Sequence, residues 1–306
     1  MDTLTIANGR LFKDILRCHA QWVEGGAEHL RCVLSGETLN EAQLRGVGLR
    51  GAILKGTTFL DADLTDADLS RALLEAVDFE RALLSGSDLN HAEVSDTQFS
   101  EAWLTAAIFS DAKFRGSSFQ RTQLRESRWQ GTVVESCNLA GAILDSASFH
   151  HARLTSCDLS ECEFNHAEFL GADMRVCRFR SVSGMNVNFS NTQLRGCDFS
   201  KADLSGVKFS RADFGASQFD RALLPDADFR HADLSGVNFS RADLSNAHFG
   251  GAKLFAADLT AADLTGAKEL TSGQLAQART DESTILPNGS RGPYRRHSGA
   301  ERPALV

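Results

Sequence analysis

The apolar positions of this chain recur every five residues. From Leu34 to Leu264 each fifth residue is large and apolar, the run beginning Leu34, Leu39, Leu44, Leu49, Leu54, Phe59 and ending Leu254, Leu259, Leu264. Of 47 such positions only Gly184 departs from the rule. Two residues before each large side chain stands a small one, Ala, Ser, Thr, Val or Cys, with Glu37 the exception. A period of five matches neither the 3.6-residue repeat of a helix nor the alternation of a strand. It predicts a chain that turns a corner once per pentad. A fixed internal period of this kind decides the architecture ahead of local propensity.

The common pentad is Ala-Asp-Leu-Ser-X, as in Ala67-Asp68-Leu69-Ser70-Arg71 and Ala202-Asp203-Leu204-Ser205-Gly206. It closely resembles the pentapeptide-repeat family over residues 32–267. The resemblance implies an all-β fold, a right-handed, four-sided (quadrilateral) parallel β-helix solenoid with one pentad per side. With about 20 residues per coil, about 12 coils at a strand spacing of about 4.8 Å form a rod roughly 56 Å long.

Residues 20 apart should then stack, and the sequence carries an internal check. Phe59, Phe79, Phe99 and Phe119 share one column with Leu139, Leu159, Phe179, Phe199, Phe219 and Phe239. A second column holds Phe149, Phe169, Phe189, Phe209, Phe229 and Phe249. The two are offset by ten residues and so lie on opposite sides, while the other two sides are nearly all Leu. Each inward Leu or Phe contributes roughly 1.5–3 kcal/mol on burial. The lone gap at Gly184 predicts a small bulge at 183–187 that swings Met185 inward, since glycine tolerates such a distortion.

A solenoid needs caps, because an open end exposes core and unpaired strand edge. Residues 9–24 carry Leu11, Phe12, Ile15, Leu16, His19, Trp22 and Val23 at helical spacing, with Gly25-Gly26 as the stop. This predicts an N-terminal helical cap within 1–31. At the other end Glu269-Leu270 breaks the register, and 268–287 reads as a C-terminal cap with a short helix between Thr271 and Arg279. Residues 288–306 are rich in Gly, Pro and Arg and read as a disordered tail.

The net charge of −8 is uneven: residues 1–31 balance, residues 268–306 carry +2, and the repeats by difference carry −10. No apolar run of membrane-spanning length occurs and no signal-peptide pattern opens the chain, so the expectation is cytoplasmic, with a secreted effector left open. Four of the seven cysteines, Cys137, Cys157, Cys177 and Cys197, stack in one inward column. Cysteine there reads as a small apolar filler. A straight ladder supplies no tetrahedral ligand set.

The recurring Asp residues are placed by the repeat itself, so their proximity is no sign of acid–base chemistry. No phosphate loop or nucleophile motif appears. The expectation is a non-enzymatic chain with no cofactor and no metal, acting through its outer surface on a protein partner. Leu83 and Trp103 are 20 apart at the outward position before the central residue and should adjoin. With Ile108 on the adjacent side and Ile143 further along the same face, they form the candidate protein-binding patch, an exposed Trp being a typical anchor. Phe255, outward near the C-terminal end, is a candidate homodimer contact through an end cap. The alternative is a DNA-mimicking modulator of DNA gyrase or topoisomerase, which the family resemblance implies for its quinolone-resistance members, with no direct nucleic acid binding. Charge density counts against it, because duplex DNA carries about 33 charges over this length and the repeats only about 10. Outward columns are also mixed, as in Arg81, Glu101, Arg121 and the basic stripe Lys201, Arg221, Arg241.

Overall fold

The computed structural model describes residues 4–6 and 9–304. By contact density the chain divides into two compact units, residues 1–149 and 150–306. Each is a parallel β-solenoid in which residues 20 apart face one another.

In the first unit the helical stripe becomes α1 (Phe12–Val23), which buries Phe12, Ile15 and His19. Gly25, at φ 99°, and Gly26 end it, their N–H groups donating to Trp22 O and Gln21 O. Six three-residue strands then stack in sequence order: β1 (Val33–Ser35), β2 (Ile53–Lys55), β3 (Leu73–Glu75), β4 (Glu93–Ser95), β5 (Lys113–Arg115) and β6 (Val133–Glu135). Their register is parallel at +20, for example Leu34 opposite Leu54 and Leu54 opposite Leu74. Three further ladders complete each coil as single bridges, such as Thr38 with Thr58, Gln43 with Asp63 and Gly48 with Asp68. Four ladders per 20 residues are the four sides that the period predicts.

The second unit continues the pattern with β7 (Arg153–Thr155) and β8 (Asp173–Arg175), after which that side also falls to single bridges, Asp173 with Gln193 and Gln193 with Asp213. Regular strands thus number eight among the described residues, all in one ladder, which goes on as single bridges to Lys253. Strands stay short because every pentad turns a corner. The residue two after each central side chain takes a left-handed conformation, as at Glu41 (φ 57°), Asp61 (φ 56°) and Arg71 (φ 58°). That turn leaves only the residues around the centre extended. Its strain is offset by a hydrogen bond to the next coil, Arg71 N to Asn90 O at 2.8 Å, for example. Asp at the position before the centre secures the same corner: Asp63 Oδ1 accepts Thr65 N–H at 3.0 Å, and Asp68 Oδ1 accepts Ser70 N–H at 3.0 Å.

The central side chains are buried as the period requires. Phe59, Phe79, Phe99 and Phe119 stack at centroid distances of 5.1, 5.2 and 4.7 Å. In the second unit Phe179, Phe199 and Phe219 stack almost parallel at 4.5 and 4.8 Å, and Phe169, Phe189 and Phe209 do so at 4.5 and 5.2 Å. Offset stacking at these separations adds to area burial.

Gly184 does not produce the expected bulge. Its N–H donates to Asp203 O at 3.0 Å in normal register. Met185 stays outside, 61% exposed, with its N–H on Asn165 Oδ1. The space is already filled: a Cβ on Gly184 would lie 2.8 Å from Val187 Cγ2 and 3.1 Å from both the carbonyl carbon and Cβ of Phe164. Phe164, one coil earlier in a column otherwise of Leu, occupies the volume that a Leu at 184 would need. Gly184→Ala should therefore overpack rather than fill a hole, at roughly 1–3 kcal/mol. A lowered denaturation midpoint at unchanged m-value would show it, and a gain in stability would contradict it.

The C-terminal cap is one more coil in altered register. Leu259 N pairs with Arg279 O, Leu264 N with Ile285 O and Gly266 N with Pro287 O. Between them α2 (Ser272–Leu275) is closed by a capping box of Thr271 and Gln274, and it buries Leu275. Residues 288–304, expected as a disordered tail, instead fold back. Leu286 N bonds Ser290 O, Ile285 and Arg291 form an antiparallel bridge, and Ala300 is buried. The Tyr294 hydroxyl lies 2.6 Å from Ser272 Oγ and 3.0 Å from Glu301. Composition indicated disorder, but a few specific tethers hold the segment down.

Candidate interaction surface

On the first unit, Leu83 and Trp103 are direct bridge partners, 41% and 53% exposed. The backbone under them is fully engaged, with Leu84 N on Trp103 O at 2.7 Å and Trp103 N on Ala82 O at 2.9 Å. The flanking outward residues of these two pentads, Ser85, Gly86, Thr105 and Ala106, carry no charge. Leu83 also bridges Asp63 in this ladder, and Arg81 and Glu101 precede the two pentads, so the pair is a fixed apolar step bordered by charged groups. The other two proposed members do not join it. Gln123 separates Ile143 from Trp103 in the ladder and is held by Arg125 at 2.6 Å. Ile108 sits on the next side between Asp88 and Arg128, and both isoleucines are half-buried. In the second unit, Phe255 is 67% exposed, following Leu254 beside a Lys253 that pairs with Asp233 at 3.0 Å.

The period also applies to residues that the sequence reading passed over. Leu223, 47% exposed, stands at the same outward position as Leu83, in a ladder running Glu163, Ser183, Asp203, Leu223, Asp243, Asp263. None of these four carboxylates is in an ion pair among the described residues. On other sides of the same unit the acids are matched: Asp213 by Arg195, Asp220 by Arg241, Asp228 by Arg230 and Asp258 by Arg279. The basic stripe of Lys201, Arg221 and Arg241 is partly neutralised, since Asp220 lies beside both arginines. In the first unit the expected alternating ladder pairs as Arg81 with Asp61 and Arg121 with Glu101, each at 2.8 Å. Such exposed pairs contribute little to stability, but they decide which faces present net charge.

All seven cysteines are free thiols. In the second unit, Cys177 accepts opposing influences from Cys157, which lowers its pKa, and from Cys197 and burial, which push it up to about 12. Burial raises Cys32 to about 12 as well. Thiols held that high are not thiolates at neutral pH and so are poor nucleophiles and metal ligands. Among the described residues no group of three or more His, Cys, Asp or Glu is placed to hold a metal ion, and no helix is long and apolar enough to cross a membrane. Burial also holds the His19 imidazole below its usual range; the Arg50 carbonyl opposes this without reaching hydrogen-bond geometry at Nε2. Nδ1 accepts the Cys32 N–H at 3.0 Å, which ties α1 to the first coil.

A family model of the pentapeptide repeat region matches residues 132–209, and a model of eight consecutive pentapeptide repeats matches 42–81, 62–97, 95–131, 212–251, 222–260 and 232–268. The chain belongs to the pentapeptide repeat family. This pentapeptide repeat protein is similar to HetL, involved in regulating heterocyst differentiation in the cyanobacterium Nostoc sp. strain PCC 7120, at 24% identity over 91% of this chain and 98% of HetL, with a TM-score of 0.32. It is similar to QnrB1, a plasmid-mediated fluoroquinolone resistance protein, at 24% identity over 73% of this chain and 89% of that one, with a TM-score of 0.34. A pentapeptide repeat protein of the Arabidopsis thaliana thylakoid lumen is 24% identical over 37% of this chain and 79% of its own, with a TM-score of 0.23. No curated protein matches.

Proposed function

We propose that the chain is a non-enzymatic scaffold that holds a protein partner on the surface of its first unit, with Leu83 and Trp103 as the anchor. One observation carries this reading: two large apolar side chains adjoin on a rigid ladder, both about half exposed. A side chain in that setting loses little entropy when it is covered, and Trp is favoured as an anchor for that reason. Affinity capture with tagged protein from a bacterial lysate supplies the partner. Trp103→Ala should then weaken its retention at least tenfold, while stability changes by about 1 kcal/mol or less. Equal retention by wild type and Trp103→Ala would overturn the reading.

A second reading is supported by the unpaired acids around Leu223. Their uncompensated charge favours a basic partner surface, as a DNA-mimicking modulator of gyrase would require. It separates from the first by salt. Capture of gyrase that is lost at high salt and in an Asp203→Asn, Asp243→Asn variant supports it, whereas salt-resistant capture through Trp103 supports the scaffold.

A further inference from the structure

Where α1 meets the first coils, Trp22, Val23, Arg31, Arg50, Gly51 and Arg71 line a concave pocket of about 390 Å³. Its shape is set by close contacts. The Trp22 ring lies where Gly51 has no side chain, since a Cβ there would approach the ring to 2.8 Å. His19 stacks on Trp22 at 5.3 Å, and the Arg31 guanidinium sits 5.0 Å from the ring centroid. Arg31 is further fixed by Nε donating to Gly51 O at 2.6 Å and by Glu28 at 3.2 Å.

The charge of the pocket is unbalanced. Among the described residues Glu28 is the one acid hydrogen-bonded to its lining, and its two oxygens already accept from Trp22 Nε1 at 2.9 Å and from Arg31. Asp68, in the same pentad as Arg71, has Oδ1 engaged by the Ser70 N–H and hydroxyl. Neither Arg50 nor Arg71 has an ion-pair or hydrogen-bond partner for its guanidinium among the described residues. Elsewhere in this unit Arg17, Arg45, Arg81, Arg115, Arg121 and Arg125 are all paired with carboxylates. Two arginines left unpaired by the fold therefore line the same concavity, with a third cation immobilised at its wall.

We propose that this pocket binds a phosphate monoester. The group carries close to two charges at neutral pH and has three acceptor oxygens, which match the planar donor forks of Arg50 and Arg71. Arg31, paired with Glu28, holds the shape of the wall, and Trp22 offers an apolar surface to whatever the phosphate is attached to. A small molecule and a phosphorylated side chain on a partner both present this group, and the recognition chemistry is shared.

Calorimetric titration of the full chain with inorganic phosphate, adenosine monophosphate and a phosphoserine peptide tests this, alongside the change in tryptophan fluorescence in a Trp103→Phe background, where Trp22 responds over the constant signal of the fully buried Trp129. Saturable binding of at least one of the three is expected, with the dissociation constant raised at least tenfold in Arg50→Ala/Arg71→Ala. Arg128→Ala, at another arginine with no side-chain partner among the described residues but outside the pocket, should bind as wild type. Preference for the peptide over its unphosphorylated form, and over the two small anions, assigns the source to a partner; the reverse order assigns it to a small molecule. No saturable binding, wild-type binding by the double variant, or an equal loss in Arg128→Ala overturns the proposal. Matching melting temperatures for the three proteins exclude a folding artefact.

Discussion

Trp129→Ala should be the most damaging single substitution in the first unit, lowering its stability by roughly 3–5 kcal/mol. Trp129 is fully buried and is among the largest side chains in the core. It stacks on Phe109 at 4.1 Å and on Phe149 at 5.2 Å, and meets Phe119 edge-on at 5.5 Å. The residue therefore joins its own column to the aromatic column of Phe99 and Phe119 across the coil. Its indole N–H donates to Ser127 Oγ at 2.8 Å, and that hydroxyl donates to Leu124 O at 2.6 Å. Alanine would remove the rings' common partner and leave a cavity that a stiff stack of coils cannot collapse. Phenylalanine, the usual residue of the column, should recover most of the loss, the stacking included, but not the indole hydrogen bond. Because coils interact with nearest neighbours, the damage should be local. Hydrogen exchange should accelerate most at the amides of Phe109 and Trp129, which bond Arg128 O and Ser148 O, and much less at Leu39 or Leu44. Uniform loss of protection would indicate instead that the whole unit unfolds as one.

The core was legible because one rule governs it. Once the period is five and residues 20 apart stack, the burial of Phe59 or Phe219 and the face on which Leu83 and Trp103 stand follow by counting. What counting cannot reach depends on side-chain reach or on departures from the repeat. Arg180 finds Asp198, 18 residues on, whereas Arg241 reaches back 21 to Asp220. No column rule distinguishes such diagonals from the vertical pair of Arg121 and Glu101. The outward position of Met185 was missed because the filling of Gly184's space comes from Phe164 and Val187, not from its own pentad. The pocket beside Trp22 was missed for a related reason. It depends on how α1 lies on the first coil, and α1 obeys a different period. A signal was present, however: Arg31, Gly51 and Arg71 share one column, so two arginines were bound to flank a position with no side chain.

Ending the chain after Lys268 should convert the second unit into a self-associating species. The cap supplies the last coil with its hydrogen-bond partners: Ala256, Leu259, Leu264 and Gly266 donate to Gln277, Arg279, Ile285 and Pro287. Gln274 adds two bonds, Nε2 donating to Phe249 O at 2.8 Å and to Ala252 O at 2.9 Å. Leu275 and Leu286 cover the apolar end. Removal leaves a row of open N–H groups over exposed Leu259 and Leu264, the combination that templates edge-to-edge pairing. Light scattering should report oligomers that grow with concentration, while the full chain under the same conditions does not form them. Two point variants separate edge exposure from loss of mass. Leu275→Asp should reproduce the association by lifting α2. Gln274→Ala, which frees two carbonyls but leaves the apolar cover in place, should lower stability by about 1–3 kcal/mol without it. A truncated chain that remains monomeric would mean that the coil ending at Leu264 is a sufficient stop, and that residues 269–304 serve something other than closure.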